Sequence, residues 1–480
     1  MGALIAILNK AGRDSTREAA TMLKALKNRN VEKFGIASPS TSVIKETAEA
    51  LESQKLNSFV AVGLAFSKIL PHDKPRIIKL ENAMLIFDGR IYPSTKDFFE
   101  KIPKTSIEAA RNLLKVDGNF AFAIAESNRL IVGRDSLGVY PLYFGENEKF
   151  FAVASERKSL WKIGIEKTSS FPPGHLAFFD KYGFRFKKAS SFNYFQTKPT
   201  TLGFAAKTLQ RLLQQSIRNR ISGLKDVAVA FSGGLDSSLI AFIAKNFNVN
   251  VQLIHVSLKG QKETQHAKIV AEELKLPIHI HLYAEGDVEK TLPKVLRLIE
   301  EPNPIKASIG IASYWTAENS TKMGINVLLA GHGADELFGG YKRYQNIYLK
   351  HGEDMAYKAI VEDALKMHET NFERDFKIYN FHNVELRLPY ATKQIVRFAA
   401  KIPIELKLER REDGERKIVL RHVAKNLGLP ESVTARPKKA IQYSTGINNA
   451  LKKLAKKEKR PLKEYLEEIF QTIVEEMKTR

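Results

Sequence analysis

Residues 226–244 read DVAVAFSGGLDSSLIAFIA. An apolar run, Val227–Phe231, gives way to Ser232-Gly233-Gly234, and Ser237–Phe247 then repeats apolar residues at helical spacing. Strand, glycine turn and helix in that order aim backbone N–H groups at one point, where a phosphate can be held. Gly233 and Gly234 let the backbone approach closely, and Ser232, Ser237 and Ser238 add hydroxyls. Asp236 is suited to hold magnesium against a pyrophosphate. No Gly-Lys-Ser/Thr follows, so this is not a Walker A loop. The alternative is a Gly-Gly turn without a ligand.

The rhythm continues outward. Val251–Val256, Ile278–Tyr283 and Val327–Ala330 are further strand candidates, separated by helical patterns near Glu263–Lys275 and Val288–Ile299. That alternation predicts a parallel sheet covered on both faces. The first half reads differently, as short apolar runs (Phe59–Phe66, Ala83–Phe87, Phe120–Ala125, Leu130–Val132) bounded by turn residues, with a helix over Ser15–Lys27. This is the pattern of a mostly antiparallel α+β domain. The polar stretch Phe192–Gly203 marks the boundary, giving domains 1–190 and 200–480. The tail, Leu462–Met477, is amphipathic, with Leu466, Ile469, Ile473 and Met477 on one face. It packs on its own domain, or a subunit contact makes a homodimer.

Composition removes several function classes. The chain of 480 residues contains no cysteine, which excludes disulfides, thiolate nucleophiles and persulfide chemistry. No apolar run approaches a membrane span, and the short apolar start has no basic segment before it, so a cytoplasmic protein is expected. The net charge of +23 suits RNA binding or a polyanionic substrate, but the basic residues are spread along the chain, as on a solvated surface, so nucleic acid is not the expected partner.

FSGGLDSS resembles the pyrophosphate loop of the ATP-pyrophosphatase superfamily, whose members cleave ATP between its α and β phosphates. Three more segments narrow the resemblance to asparagine synthetases. These are LLAGHGADELFGGY at Leu328–Tyr341, NVELRLPY at Asn383–Tyr390 and RPKKAIQYSTG at Arg436–Gly446. The resemblance implies a HUP-like parallel-sheet domain that adenylates a carboxylate, with ATP and magnesium as cofactors. Phe231, Ser232, Gly233, Gly234, Asp236, Ser237, Ser238, Val256, Gly331 and Asp335 are then the candidate ATP and pyrophosphate contacts, and Asp236 and Asp335 the magnesium ligands. Lys438 would neutralise the departing pyrophosphate. Glu385 and Arg387, on one face of an extended segment, would bind the polar end of the substrate, with Glu385 also a catalytic candidate. A local ion pair is the alternative for these two.

The first 190 residues resemble a class II glutamine amidotransferase half, which implies an Ntn-type sandwich. The resemblance rests on DGNFAFAIAE (Asp117–Glu126), GRDSLGVYPLYFG (Gly133–Gly145), FAVASERKSL (Phe151–Leu160) and FPPGHLAFFD (Phe171–Asp180). Such a domain hydrolyses glutamine with an N-terminal cysteine. Here position 2 is Gly2, the Arg-Gly-Pro-Asp segment is reduced to Arg29, and Asn-Gly-Glu has become Asp88-Gly89-Arg90. A carboxylate at Asp88 would repel an oxyanion. A scaffold without glutaminase activity is expected.

One departure falls in the synthetase half: His332 stands where the family has glutamate, at the position that faces acyl-adenylate and nucleophile. A neutral imidazole serves as a general base. The alternative is that His332 only supports the turn. The expected reaction is aspartate to asparagine, through an acyl-adenylate and ammonia drawn from solution or from a separate glutaminase. Three rivals stand beside it: an amide ligase for another substrate, similar to β-lactam synthetases; a tRNA-modifying ligase; and a pseudoenzyme that regulates a true synthetase.

Overall fold

The computed structural model describes residues 2–26, 30–189, 197–436 and 445–479. Residues 2–188 form two antiparallel sheets packed face to face. The seven-stranded sheet runs in the order Thr168–Ser170, Tyr143–Glu146, Phe150–Ala154, Gly2–Asn9, Val60–Phe66, Lys33–Ala37, Ser42–Lys45. The six-stranded sheet runs Gly183–Lys188, His175–Asp180, Arg129–Arg134, Asp117–Glu126, Ala83–Tyr92, Arg76–Lys79.

The first strand, GALIAILN, is apolar throughout because both its faces are covered. Leu4, Ala6 and Leu8 meet the other sheet's Met84, Ile86 and Ala123. Ala3, Ile5 and Ile7, one residue out of phase, meet Ala19, Ala20 and Leu23 of the helix Thr16–Lys24. The second sheet repeats the arrangement with the helix Ser106–Leu113 on its outer face, giving helix, sheet, sheet, helix.

The second half carries a five-stranded, wholly parallel sheet in the order Ile278–Tyr283, Asn250–Leu258, Asp226–Ala230, Val327–Leu329, Glu385–Arg387. Numbered along the chain, that order is 3-2-1-4-5. The crossover direction reverses beside Asp226–Ala230, and a crevice opens at such a switch point beyond the carboxyl ends of the strands. Both glycine-rich motifs leave their strands there. The tail helix, Leu462–Thr479, buries Leu466, Ile473 and Met477 in the chain's own core, and its Glu476 pairs with Arg297. Among the described residues no helix is long and apolar enough to cross a membrane.

Candidate functional site

A cavity of about 260 Å³ lies at the switch point. One wall is the loop after Asp226–Ala230, the other the loop after Val327–Leu329. A larger open depression of about 640 Å³ lies at the opposite end of the sheet, around Arg218, Lys225 and Asn250. It carries none of the motifs and faces the amino ends of the strands, so the smaller cavity is the candidate site.

Gly233 has φ +70°, and a Cβ there would sit 2.9 Å from Ala267 Cα, so no other residue fits without movement. Its carbonyl lies 3.0 Å from His266 Nε2. Gly234 caps the eleven-residue helix Leu235–Lys245, whose first-turn N–H groups face the crevice. Ser232, Gly234, Asp236 and Ser237 line the cavity, with Phe231 and Val256 in its wall. Gly331 faces Asp236, where a Cβ would come within 3.0 Å of the Asp236 Cβ. Gly233 and Ser238 support the turn rather than line the cavity; the Ser238 hydroxyl is buried.

Asp236 and Asp335 converge on one ammonium. Lys417 Nζ lies 2.6 Å from an oxygen of each. Burial alone would lower the Lys417 pKa; the two carboxylates overturn that and raise it. Lys417 caps the helix Ile418–Asn426 at φ +58°, a left-handed conformation unusual for lysine. The side chain is thereby fixed between two acids from the first turns of separate helices, Leu235–Lys245 and Ala334–Phe338. No group of three His, Cys, Asp or Glu among the described residues would hold a metal alone. Two converging carboxylates do fit magnesium that arrives with phosphate oxygens, since this ion takes few protein ligands. Lys438 lies outside the described residues, as does Arg29. Arg421 tethers the chain leading to Lys438 by donating to the carbonyls of Thr434 and Arg436 at 2.6 and 2.8 Å.

In the same lining, His332 has Nε2 2.6 Å from Asp375 Oδ2. Asp375 is fully buried and also accepts from Arg374 Nε at 2.9 Å and the Ser313 hydroxyl at 2.8 Å. Burial pushes the Asp375 pKa up, but Arg374 and His332 hold it well below the usual carboxylate range. An ionised carboxylate only accepts, so the proton on a neutral His332 sits on Nε2. Nδ1 is left buried, with a lone pair and no partner among the described residues. That is the tautomer of a general base held by an acid. Glu336, close by in the wall, accepts from Tyr341 at 2.6 Å and from Asn371 at 2.7 Å.

The structure does not bring Glu385 and Arg387 to this cavity, which corrects the expectation of a substrate-binding pair. Both are buried, with Arg387 Nε 2.6 Å from Glu385 Oε1. The other Glu385 oxygen takes Arg90 Nη2 at 2.6 Å, and Arg90 also pairs with Asp73 at 2.8 Å. Burial pushes Glu385 up, but Arg387 and Arg90 hold it well below the usual range. Its acceptor capacity is spent on two guanidinium groups, none of it facing the cavity.

The asparagine synthase family model matches residues 208–377 and 348–477, more than half of the chain. The chain belongs to the asparagine synthase family. A glutamine amidotransferase domain model also matches residues 98–162. A Methanocaldococcus jannaschii protein named "Putative asparagine synthetase (glutamine-hydrolyzing) 1" is 28% identical, over 99% of this chain and 100% of its own. A glutamine-hydrolysing asparagine synthetase of Brassica oleracea is 26% identical over 69% of this chain and 58% of its own. A B. subtilis glutamine phosphoribosylpyrophosphate amidotransferase structure aligns over 87% of this chain at 12% identity and TM-score 0.35, too loosely to bear on the argument. As a member of the asparagine synthase family, the chain is a ligase that uses ATP.

Within this chain, position 2 of the amidotransferase-like half is closed. Gly2 lies in the strand Gly2–Asn9, and a Cβ on it would fall 1.6 Å from the Ala65 carbonyl oxygen. Asp88 Oδ2 accepts from Gly2 N–H at 2.8 Å and from the Tyr140 hydroxyl at 2.5 Å. Sequence reasoning missed Lys417 and Asp375. Neither stands in a segment whose pattern signals a ligand, and each takes its role from a residue far away in the chain.

Proposed function

We propose that this protein adenylates the side-chain carboxylate of aspartate and transfers it to ammonia, without a glutaminase of its own. The observation that carries the reading is one cavity lined by both the Lys417-bridged pair Asp236 and Asp335 and by His332, which Asp375 holds from behind the lining.

A carboxylate oxygen attacks the α-phosphorus, the bond between the α-phosphorus and the bridging oxygen breaks, and pyrophosphate leaves. The N–H groups opening Leu235–Lys245 and the Lys417 ammonium face the negative charge that develops. Asp236 and Asp335 would hold magnesium, which supplies further positive charge to the departing pyrophosphate. Nitrogen then attacks the acyl carbon and AMP leaves. His332 Nδ1 accepts the proton that nitrogen must lose, and Asp375 steadies the imidazolium formed.

Several features support ammonia from solution or from a separate glutaminase as the nitrogen source. The chain has no cysteine, Gly2 has no space for a side chain, and the Asp88 carboxylate is bound to Gly2 N–H. The relatives' names include glutamine hydrolysis; that part of their activity does not transfer to this chain. A second reading, a different amine as nucleophile, is favoured by the imidazole at position 332 in place of the family's carboxylate.

ATP–pyrophosphate exchange with aspartate and amide formation with aspartate and ammonium, followed separately, test the reading. His332→Ala should lower amide formation by about two to four orders of magnitude and leave adenylation near wild type. Equal loss in both steps would remove His332 from the base role.

A further inference from the structure

The segment GRDSLGVYPLYFG, Gly133–Gly145, stands out in the sequence, yet the chemistry above does not use it. In the structure it lies against the helix Glu373–Phe381, the element that carries Asp375. The contacts repeat along one face. Glu373 takes Arg134 Nη2 at 3.0 Å and the Tyr143 hydroxyl at 2.9 Å. Phe376 packs on Tyr140, ring centroids 5.0 Å apart, and the Lys377 ammonium sits 5.0 Å from the centre of the Tyr143 ring. Asn380 closes the row by donating to the Gly2 carbonyl at 2.8 Å. Positions i, i+3, i+4 and i+7 share one helix face. Asp375 is two residues, about 200°, round from Glu373, on the side that meets His332.

The grip is rigid on the N-terminal side. Arg134 is fully buried and donates to the carbonyls of Tyr140, Gly138 and Phe171 at 2.6, 2.7 and 2.7 Å. Its guanidinium is therefore fixed before it meets Glu373. Gly138, at φ +64°, lies so close to the wide turn His368–Phe372 that a Cβ would be 2.8 Å from His368 Cβ. That turn leads directly into the Asp375 helix.

We propose that Gly133–Gly145 is a positioning element of the synthetase site, fixing the helix Glu373–Phe381 so that Asp375 holds His332 in its base-competent orientation. The proposal rests on the His332 base reading and extends it to residues that touch no substrate. It gives the amidotransferase-like half a task that needs no glutaminase chemistry. The phosphate-facing groups Asp236, Asp335 and Lys417 bond one another. A disturbance of the helix should therefore reach the amide-forming step and spare adenylation.

The test uses the full chain with two separate substitutions, Tyr143→Phe and Glu373→Gln, and thermal melts to show that each folds. ATP–pyrophosphate exchange with aspartate is measured beside amide formation over a range of ammonium concentration. The expected result is a loss of about 10- to 100-fold in the maximal rate of amide formation, with exchange and the KM for ammonium near wild type. If folded variants lose both steps together or neither, the positioning role is wrong. His332→Ala, run alongside, separates the two ideas. Should it split the steps while the helix variants do not, only the positioning inference fails; should it not split them, the base reading fails first.

Discussion

Two clusters of buried polar groups face different things. At the switch point of the parallel sheet, the groups surround a cavity: Gly234 N-caps a helix, Lys417 bridges two acids, and His332, in the lining, has a buried Nδ1 with no partner among the described residues. In the N-terminal half the corresponding groups face one another. Asp88 takes Gly2 N–H and the Tyr140 hydroxyl, Tyr140 lies 3.2 Å from the Ser155 hydroxyl, and Ser155 takes Leu4 N–H at 2.9 Å. A site built to bind keeps donors and acceptors for a ligand, because burying them unpaired is costly until the ligand arrives. The first cluster keeps one such group, the buried His332 Nδ1, while the bonds among Gly2, Asp88, Tyr140, Ser155 and Leu4 link the groups of the second to one another.

The comparison breaks most sharply at Lys417. Lys417→Met leaves Asp236 and Asp335 without their shared counter-charge. Pyrophosphate release should fall by about three orders of magnitude, or about 4 kcal/mol at the transition state. Turnover near wild type, measured by pyrophosphate release, would show that the bridge is only a structural ion pair.

Lys407, ten residues earlier, sharpens the same comparison with a smaller effect. It is buried against Leu337, Ile360 and Val396, and its ammonium has no partner among the described residues. Burial pulls its pKa down to about 7. The folded value lies below the unfolded one of about 10.4, so the cost of burial is fully present below pH 7 and is relieved as pH rises towards the unfolded value. Lys407→Met should raise stability at neutral pH by on the order of 3 kcal/mol and flatten the rise above pH 7. Denaturant melts at several pH values check it. A loss of stability would mean that the amine has a partner or ligand.

What the sequence made legible was local. Ser232–Ser238 could be read because strand, turn and helix signals sit within twenty residues of each other. The parallel sheet followed from alternation, and the buried first strand from its unbroken apolar run. Pairings across long separations were not legible. Glu385 and Arg387 share one face of a strand, but the second guanidinium that takes Glu385, Arg90, lies 295 residues away. Lys417 meets Asp236 across 181 residues. Asp88 reads in sequence as hostile to an oxyanion; in the fold it holds Gly2 in place.

The central claim is that one half catalyses amide formation while the other supplies no nitrogen. Nitrogen-15 tracing tests it most directly. The full chain is incubated with ATP, magnesium and aspartate, and with either labelled ammonium or amide-labelled glutamine, and the product is read by mass spectrometry. The account predicts label in the new amide from ammonium and none from glutamine, with one AMP formed per amide. Label transferred from glutamine by protein free of other glutaminases would contradict it.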